Sequence, residues 1–295
     1  MSTLGMVQLL FAALTLVMVG LGLSLEVADF RRLLSEKRAV VVALVLQMLI
    51  LPVAALGLAT AMHLPTPYAV GLMLLAAAPG SVSSNLYSQV FGGNVALNVS
   101  LTGINTLFSM ITLPLICSWS LVHFAAGPET MPAVASKLSE AMATVIVPVV
   151  IGMLVRARAP RFAERLNKPM RLFSVLVLVA FSAAAIVTEW AALTQAFTQV
   201  GVSVVLFNLL SLVVGYRASN AMALDQPSAV AITFQLGVRS AVLSIYIAMT
   251  ALNNAQMALP AAVYSITMVF LALSFGIWVK RRTFKRAGNG ALIEA

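Results

Sequence analysis

Charge is what this chain has least of. Only 9% of its 295 residues are Asp, Glu, Lys or Arg, where a soluble domain carries about a quarter. That scarcity, with 61% apolar residues and a mean hydropathy of +1.01, excludes a soluble globular fold. The single cysteine, Cys117, excludes an internal disulfide. Only two histidines are present, His63 and His123; they lie far apart near the ends of apolar runs and offer no metal cluster. No Asp, Glu or His falls in the middle of an apolar run, and Glu140 and Glu189 sit near run ends. A proton relay therefore lacks a carrier, and an intramembrane enzyme lacks a base or metal beside its serines.

What is there is apolar sequence in lengths of about 20 residues, enough to cross hydrocarbon. Nine spans can be read, at 5–25, 39–61, 68–90, 95–122, 136–155, 172–192, 198–216, 227–250 and 257–279. Lys and Arg fall in clusters after the first, fifth, seventh and ninth spans, and with nine spans all four clusters share one side. Only Lys137 falls on the other. The positive-inside rule then puts the N-terminus outside and the C-terminus in the cytoplasm. The net charge of +9 orients the chain in an anionic membrane and is not a nucleic-acid footprint. One integral membrane domain over 1–295 is expected, ending in a basic cytoplasmic tail at 280–295. No Lys or Arg precedes the first span and no small-residue cleavage site follows it, so it reads as a retained helix.

Two spans are interrupted. The third contains "AAAPGSVSSNLYSQVFGGN", with Pro79-Gly80 ahead of a serine cluster and Asn85. The eighth contains "FQLGVRSAVLS", with Gln235, Gly237, Arg239 and Ser240. Pro deletes a helical hydrogen bond and Gly weakens the helix, so both spans are expected to break halfway. "PYAV" opens the third at 67–70 and "PSAV" opens the eighth at 227–230. The two run in opposite directions in this topology, which is the sequence sign of an inverted-repeat transporter. The first repeat covers 5–122, and helix 5 with the second repeat covers 136–279.

The stretch "APGSVSSNLYSQVFGGNVALNVSLTGINTLFSMITLPL" resembles the bile acid:sodium symporter family, where a Pro-Gly-Gly-x-x-Ser-Asn break precedes Gly-Asn-Val-Ala-Leu-Ser. "ALVLQMLILPVAALGLA" is similar to the family's preceding helix, and the similarity runs along essentially the whole chain. The resemblance implies an all-α polytopic fold of nine transmembrane helices in two inverted repeats, with the third and eighth broken and crossing. Helices 2–4 and 7–9 would form a core, and 1, 5 and 6 a panel. It implies a first sodium site at Ser84, Asn85, Asn98 and Thr102, and a second involving Gln47 and carbonyls near the eighth-helix break. Val82, Ser240 and Met268 would flank the substrate cavity.

The eighth span departs from that family. Gln235 stands where the family has a glutamate shared by both sodium sites, and Arg239 where it has a glutamine. Ser240 replaces an Asn, and Met268-Val269 stand at a His-Asn pair. The family's carboxylate with two sodium ions totals +1; Gln235 with Arg239 also totals +1, with no ion bound. A cation added 4 Å from Arg239 would meet repulsion of roughly 4 kcal/mol in a partly wet interior.

Three readings of Arg239 stay open. It can stand in for sodium by bonding break carbonyls together with Asn85 or Gln47; it can take a substrate carboxylate; or it can stabilise a kink or snorkel. Tyr87, Asn105, Ser109 and Tyr246 face either a cavity or neighbouring helices. The expected protein is a secondary transporter of a small organic anion (a bile-acid-, pantoate- or pyruvate-like carboxylate), in a bacterial inner membrane, with sodium coupling weakened. The alternatives are a sodium symporter that keeps the first site, and an anion-binding membrane sensor that transports nothing. No cofactor is expected beyond sodium itself.

Overall fold

The structure, a computed structural model, describes residues 36–125, 131–166 and 190–291, with isolated positions between 15 and 23 and at 169 and 172. The first and sixth spans fall largely outside these residues, as does the end of the basic tail. Among the described residues nine helices carry the architecture. They are α1 (Lys37–Ala61), α2 (Thr66–Ala77), α3 (Ser84–Val90), α4 (Val95–Ala125), α5 (Met131–Arg158), α6 (Trp190–Ala221), α7 (Gln226–Gly237), α8 (Ala241–Thr250) and α9 (Ala255–Ala291).

Among the described residues, Lys37–Ala61, Phe197–Ala221 and Ala255–Arg282 are each long and apolar enough to cross a membrane. Val95–Phe124 is a fourth if its two arms, bent by 52°, count as one span. The bend has a local cause: Pro114 lies inside α4, where it removes a hydrogen bond and its ring crowds the carbonyl of the preceding turn. The chain is an all-helical polytopic membrane protein, and both spans read as interrupted are divided where the sequence placed the breaks. The third becomes α2 and α3, separated by Ala78–Ser83, and the eighth becomes α7 and α8, separated by Val238–Ser240.

The two broken spans are entered alike. Residues 61–70, AMHLPTPYAV, match residues 221–230, AMALDQPSAV, at Ala, Met, Leu, Pro, Ala and Val. In both, the third residue turns to positive φ, His63 at 48° and Ala223 at 52°. The hydrogen bonds agree as well: Leu64 N–H reaches Ala59 O at 3.0 Å, and Leu224 N–H reaches Ser219 O at 3.1 Å. The helices that follow, α2 and α7, are each 12 residues long. Every residue of α2 from Tyr68 onward is buried, as is every residue of α7 from Ser228 onward. A helix apolar all round is one enclosed by other helices.

The two half-helices enter from opposite ends of the bundle. Thr66, at the start of α2, donates its hydroxyl to Phe124 O at the end of α4 (2.9 Å). Pro227, at the start of α7, accepts from Asn94 N–H just ahead of α4 (2.9 Å). The helix α4 is 31 residues long, roughly 45 Å of helix, so α2 and α7 run towards one another. They meet at an isolated antiparallel bridge between Gly80 and Arg239. There Ser81 N–H donates to Val238 O (2.8 Å) and Ser240 N–H to Pro79 O (3.0 Å).

Close approach fixes α2 against α9. A Cβ on Gly71 would fall 2.3 Å from Met257 O, whereas one on Gly57 would meet nothing within 4 Å. Gly71→Ala should therefore destabilise by about 1–3 kcal/mol through overpacking. Gly57→Ala, at an open helical position, should be neutral or stabilise by up to about 1 kcal/mol. Thermal unfolding of the two purified variants beside the wild type checks both.

Candidate functional site

A helix that stops halfway leaves its last carbonyl oxygens without partners, and within a membrane the protein itself must supply the donors. At the end of α2 the donor is Arg239. Its Nη1 lies 3.2 Å from Leu75 O, 2.7 Å from Ala76 O and 2.6 Å from Ala78 O. Its Nη2 donates to Gln47 Oε1 at 3.0 Å. The C-terminal end of a helix carries partial negative charge, so the guanidinium sits where the backbone best stabilises a cation. Phe207 lies beneath it, the ring centroid 5.8 Å from Cζ, and adds a cation–π contact. Arg239 is 0% exposed, which excludes snorkelling. Among the described residues no carboxylate is one of its partners.

Gln47 completes the clamp from α1. The chain there runs as a π-helical turn, Leu46–Ile50, immediately before Pro52. Such a wide turn absorbs the hydrogen bond that proline cannot make, and it re-aims side chains. Gln47 accepts from Arg239 and donates its Nε2 to Ala78 O at 2.9 Å.

The end of α7 is satisfied by neutral donors. Gly237 O accepts from Tyr264 Oη at 2.8 Å and, more weakly, from Asn208 Nδ2 at 3.4 Å. Two half-helix ends on a near-symmetric frame thus differ in charge: one carries a guanidinium, the other a phenol and an amide.

A second polar cluster lies beside the crossover, on α3, α4 and α7. Ser84 Oγ is 3.0 Å from Asn98 Oδ1 and 3.1 Å from Gln235 Oε1. Thr102 Oγ1 is 2.9 Å from both Asn98 O and Gln235 Oε1. Asn98 Nδ2 donates to Ser84 O at 3.1 Å and to Ser88 Oγ. Gly80 makes room for this arrangement: a Cβ there would fall 2.3 Å from Gln235 Nε2 and 2.7 Å from Gln235 O.

Seven positions singled out in the sequence therefore gather at the crossover: Gln47, Ser84, Asn98, Thr102, Gln235, Arg239 and Gly80. Pro79 joins them through its carbonyl, and Gly237 ends α7 there. Asn85 is adjacent and buried, but its Oδ1 has no partner, and Arg239 bonds Gln47 rather than Asn85. Ser240 sits at the start of α8 and is 8% exposed. Val82 is half-buried against an apolar cluster, and Met268 is buried in the apolar core. Tyr87 stacks on Phe234 and Ser109 bonds the carbonyl of Thr106 in its own helix. Asn105 is buried with neither amide atom partnered. The sequence reading did not pick out Phe207, Asn208 or Tyr264, and the only signal for any of them was a lone amide in an apolar span.

Two half-length helices meeting end to end inside an apolar bundle, with a cluster of polar side chains at the crossing, mark a polytopic integral membrane protein with two broken helices. The model of the sodium bile acid symporter family matches residues 11–196, well over half the chain, and the chain belongs to that family of transporters, not enzymes. It is 28% identical over 278 residues to an uncharacterized sodium-dependent transporter of Bacillus subtilis (strain 168), covering 94% of this chain and 84% of that protein. It is 27% identical over 276 residues to a chloroplastic protein of rice named a probable sodium/metabolite cotransporter, covering 93% of this chain and 64% of the other. The match to the rat hepatic sodium/bile acid cotransporter is 25% over 185 residues, 61% of this chain and 49% of that one.

Gln47→Leu removes the acceptor of Nη2 and one donor to Ala78 O. It should destabilise by about 1.5–3 kcal/mol, the range for hydrogen bonds to charged groups, seen as a lower melting temperature of the purified protein.

Proposed function

We propose that this protein is a secondary transporter that moves a small organic anion by alternating access, and that Arg239 stands permanently where a mobile cation would otherwise neutralise the broken helix. The observation that carries this reading is the guanidinium bonded to Leu75, Ala76 and Ala78 carbonyls and to Gln47, with no counterion among the described residues. Oxygen atoms converging from a half-helix end are what a hard monovalent cation would need, and here a tethered cation takes them. Of the three readings of Arg239, the stand-in for sodium is the one its partners favour. Its Nη1 and Nη2 bonds all go to protein groups, and the side chain, its Nε unpartnered, is fully buried, so a substrate carboxylate would meet its charge at longer range.

The wider architecture follows the same reading. Nine transmembrane helices in two inverted repeats, with helices 2–4 and 7–9 as a core and 1, 5 and 6 as a panel, agree with opposed half-helices that are entered through similar sequences. The basic clusters put the N-terminus outside and the C-terminus in the cytoplasm of a bacterial inner membrane. A fixed positive charge at the crossover and the N-terminal ends of α3 and α8 favour an anionic substrate. Small carboxylates such as pyruvate and pantoate, and bile acids, are the class to try. Val82 and Ser240 are the candidate cavity residues nearest the break, with Met268 further off.

Transport should need little or no sodium. Uptake of labelled pyruvate, pantoate and taurocholate into proteoliposomes, with sodium or choline outside, tests this. The expected result is uptake of one of them at similar rates in both salts. Uptake that collapses in choline would instead mean a sodium symporter using Ser84, Asn85, Asn98 and Thr102, and binding without flux a sensor. The double variant Gln235→Glu with Arg239→Gln returns a carboxylate and removes the tethered cation, and its uptake should become sodium-dependent.

A further inference from the structure

Gln235 raises a question of donors and acceptors that its distances alone leave open. With Oε1 towards Ser84 and Thr102, two hydroxyl protons face four acceptor contacts: Gln235 Oε1 twice, Asn98 Oδ1 and Asn98 O. Each hydroxyl has one proton to give. The two protons on Gln235 Nε2 meanwhile have no acceptor, although the residue is 0% exposed.

Turning the amide by 180°, which leaves its shape unchanged, resolves every donor. Nε2 then gives one proton to Ser84 Oγ and one to Thr102 Oγ1. The Ser84 hydroxyl turns to Asn98 Oδ1, and the Thr102 hydroxyl to Asn98 O. Asn98 Nδ2 keeps Ser84 O and Ser88 Oγ. What remains is one amide oxygen against Gly80, and an under-satisfied buried carbonyl is more readily tolerated than orphaned N–H groups.

We propose that Gln235 presents its amide NH2 to Ser84 and Thr102, so that α3, α4 and α7 are tied by a self-contained hydrogen-bond knot that takes no sodium ion. Three of the four side-chain oxygens a cation would need are already used: Ser84 Oγ and Thr102 Oγ1 each accept from Gln235, and Asn98 Oδ1 accepts from Ser84, which leaves only Asn85 Oδ1 without a partner. Inserting sodium would break both NH2 bonds and turn their protons towards the ion. The fixed charge of Arg239, four residues along the same chain and bridged to Gly80, adds repulsion. Gln235 is a positioning residue that stands in for an ion with a neutral donor, just as Arg239 does with a charged one. This deepens the reading of the crossover as ion-free and rests on that reading only for its consequence in transport.

The test uses the full-length protein in nanodiscs, its melting temperature followed as sodium chloride replaces choline chloride at constant chloride. A ligand that binds only the folded state must raise that temperature in a saturable way. The wild type should give a flat curve. Gln235→Glu, which offers acceptors alone to Ser84 and Thr102, should gain a saturable, sodium-specific rise of several degrees. A sodium-specific rise in the wild type would overturn the proposal, as would a folded Gln235→Glu protein that stays indifferent to sodium. If Gln235→Glu does not fold, the wild-type curve decides alone: flat supports the knot and a saturable rise refutes it. No substrate enters this measurement, so absent carboxylate flux would sink the transporter reading and leave this assignment intact.

Discussion

A guanidinium held by the carbonyl oxygens of a helix that stops in mid-bundle is the contact on which the crossover depends. Ending α2 at Ala77 leaves carbonyls of its last turn without helical donors. Lipid offers none, and an unsatisfied buried polar group costs several kcal/mol. Arg239 answers with one side chain spread over three carbonyls, and Gln47 braces both partners from α1. Both Nη groups of Arg239 are bonded and its Nε has no partner; a buried charge so held also needs its field opposed. The negative end of the α2 dipole and the face of Phe207 supply that opposition.

The other half-helix meets the same demand without charge. Tyr264 and Asn208 serve the Gly237 carbonyl, and Gln235 ties α7 to α3 and α4. The frame is nearly symmetric, down to the positive φ of His63 and Ala223, yet its electrostatics are not. One fixed positive charge lies on one side of the crossing. A mobile cation could come and go, whereas this charge is fixed to the chain.

Much of this was legible in the residues. Pro79-Gly80 and Gly237 marked both breaks because helix geometry punishes proline and glycine wherever they sit. The oxygen-bearing residues of the third and fourth spans and Gln47 were legible as a group, and Arg239 betrayed itself as a charge where lipid forbids one. Its true acceptors were not legible: carbonyls of Leu75, Ala76 and Ala78 belong to residues whose side chains say nothing. Phe207 and Tyr264 look like ordinary apolar filling until the fold lays them under Arg239 and against Gly237. Asn98 and Gln235 could be named from the chain, but that Ser84 and Thr102 link the two needed distances. The extended match between 61–70 and 221–230 was readable, and only its first hint, PYAV and PSAV, stood out before the shared turn geometry gave it meaning.

The most direct test of the central claim removes the tethered charge and asks whether sodium can replace it. Arg239→Gln exposes the Leu75, Ala76 and Ala78 carbonyls beside two amides, an oxygen-rich pocket that a hard cation can enter. In choline, the purified variant should melt well below the wild type, and added sodium should recover part of the loss while leaving the wild type unmoved. A variant as stable as the wild type in choline, or one that sodium leaves untouched, would contradict the account of Arg239 as the resident cation of the crossover.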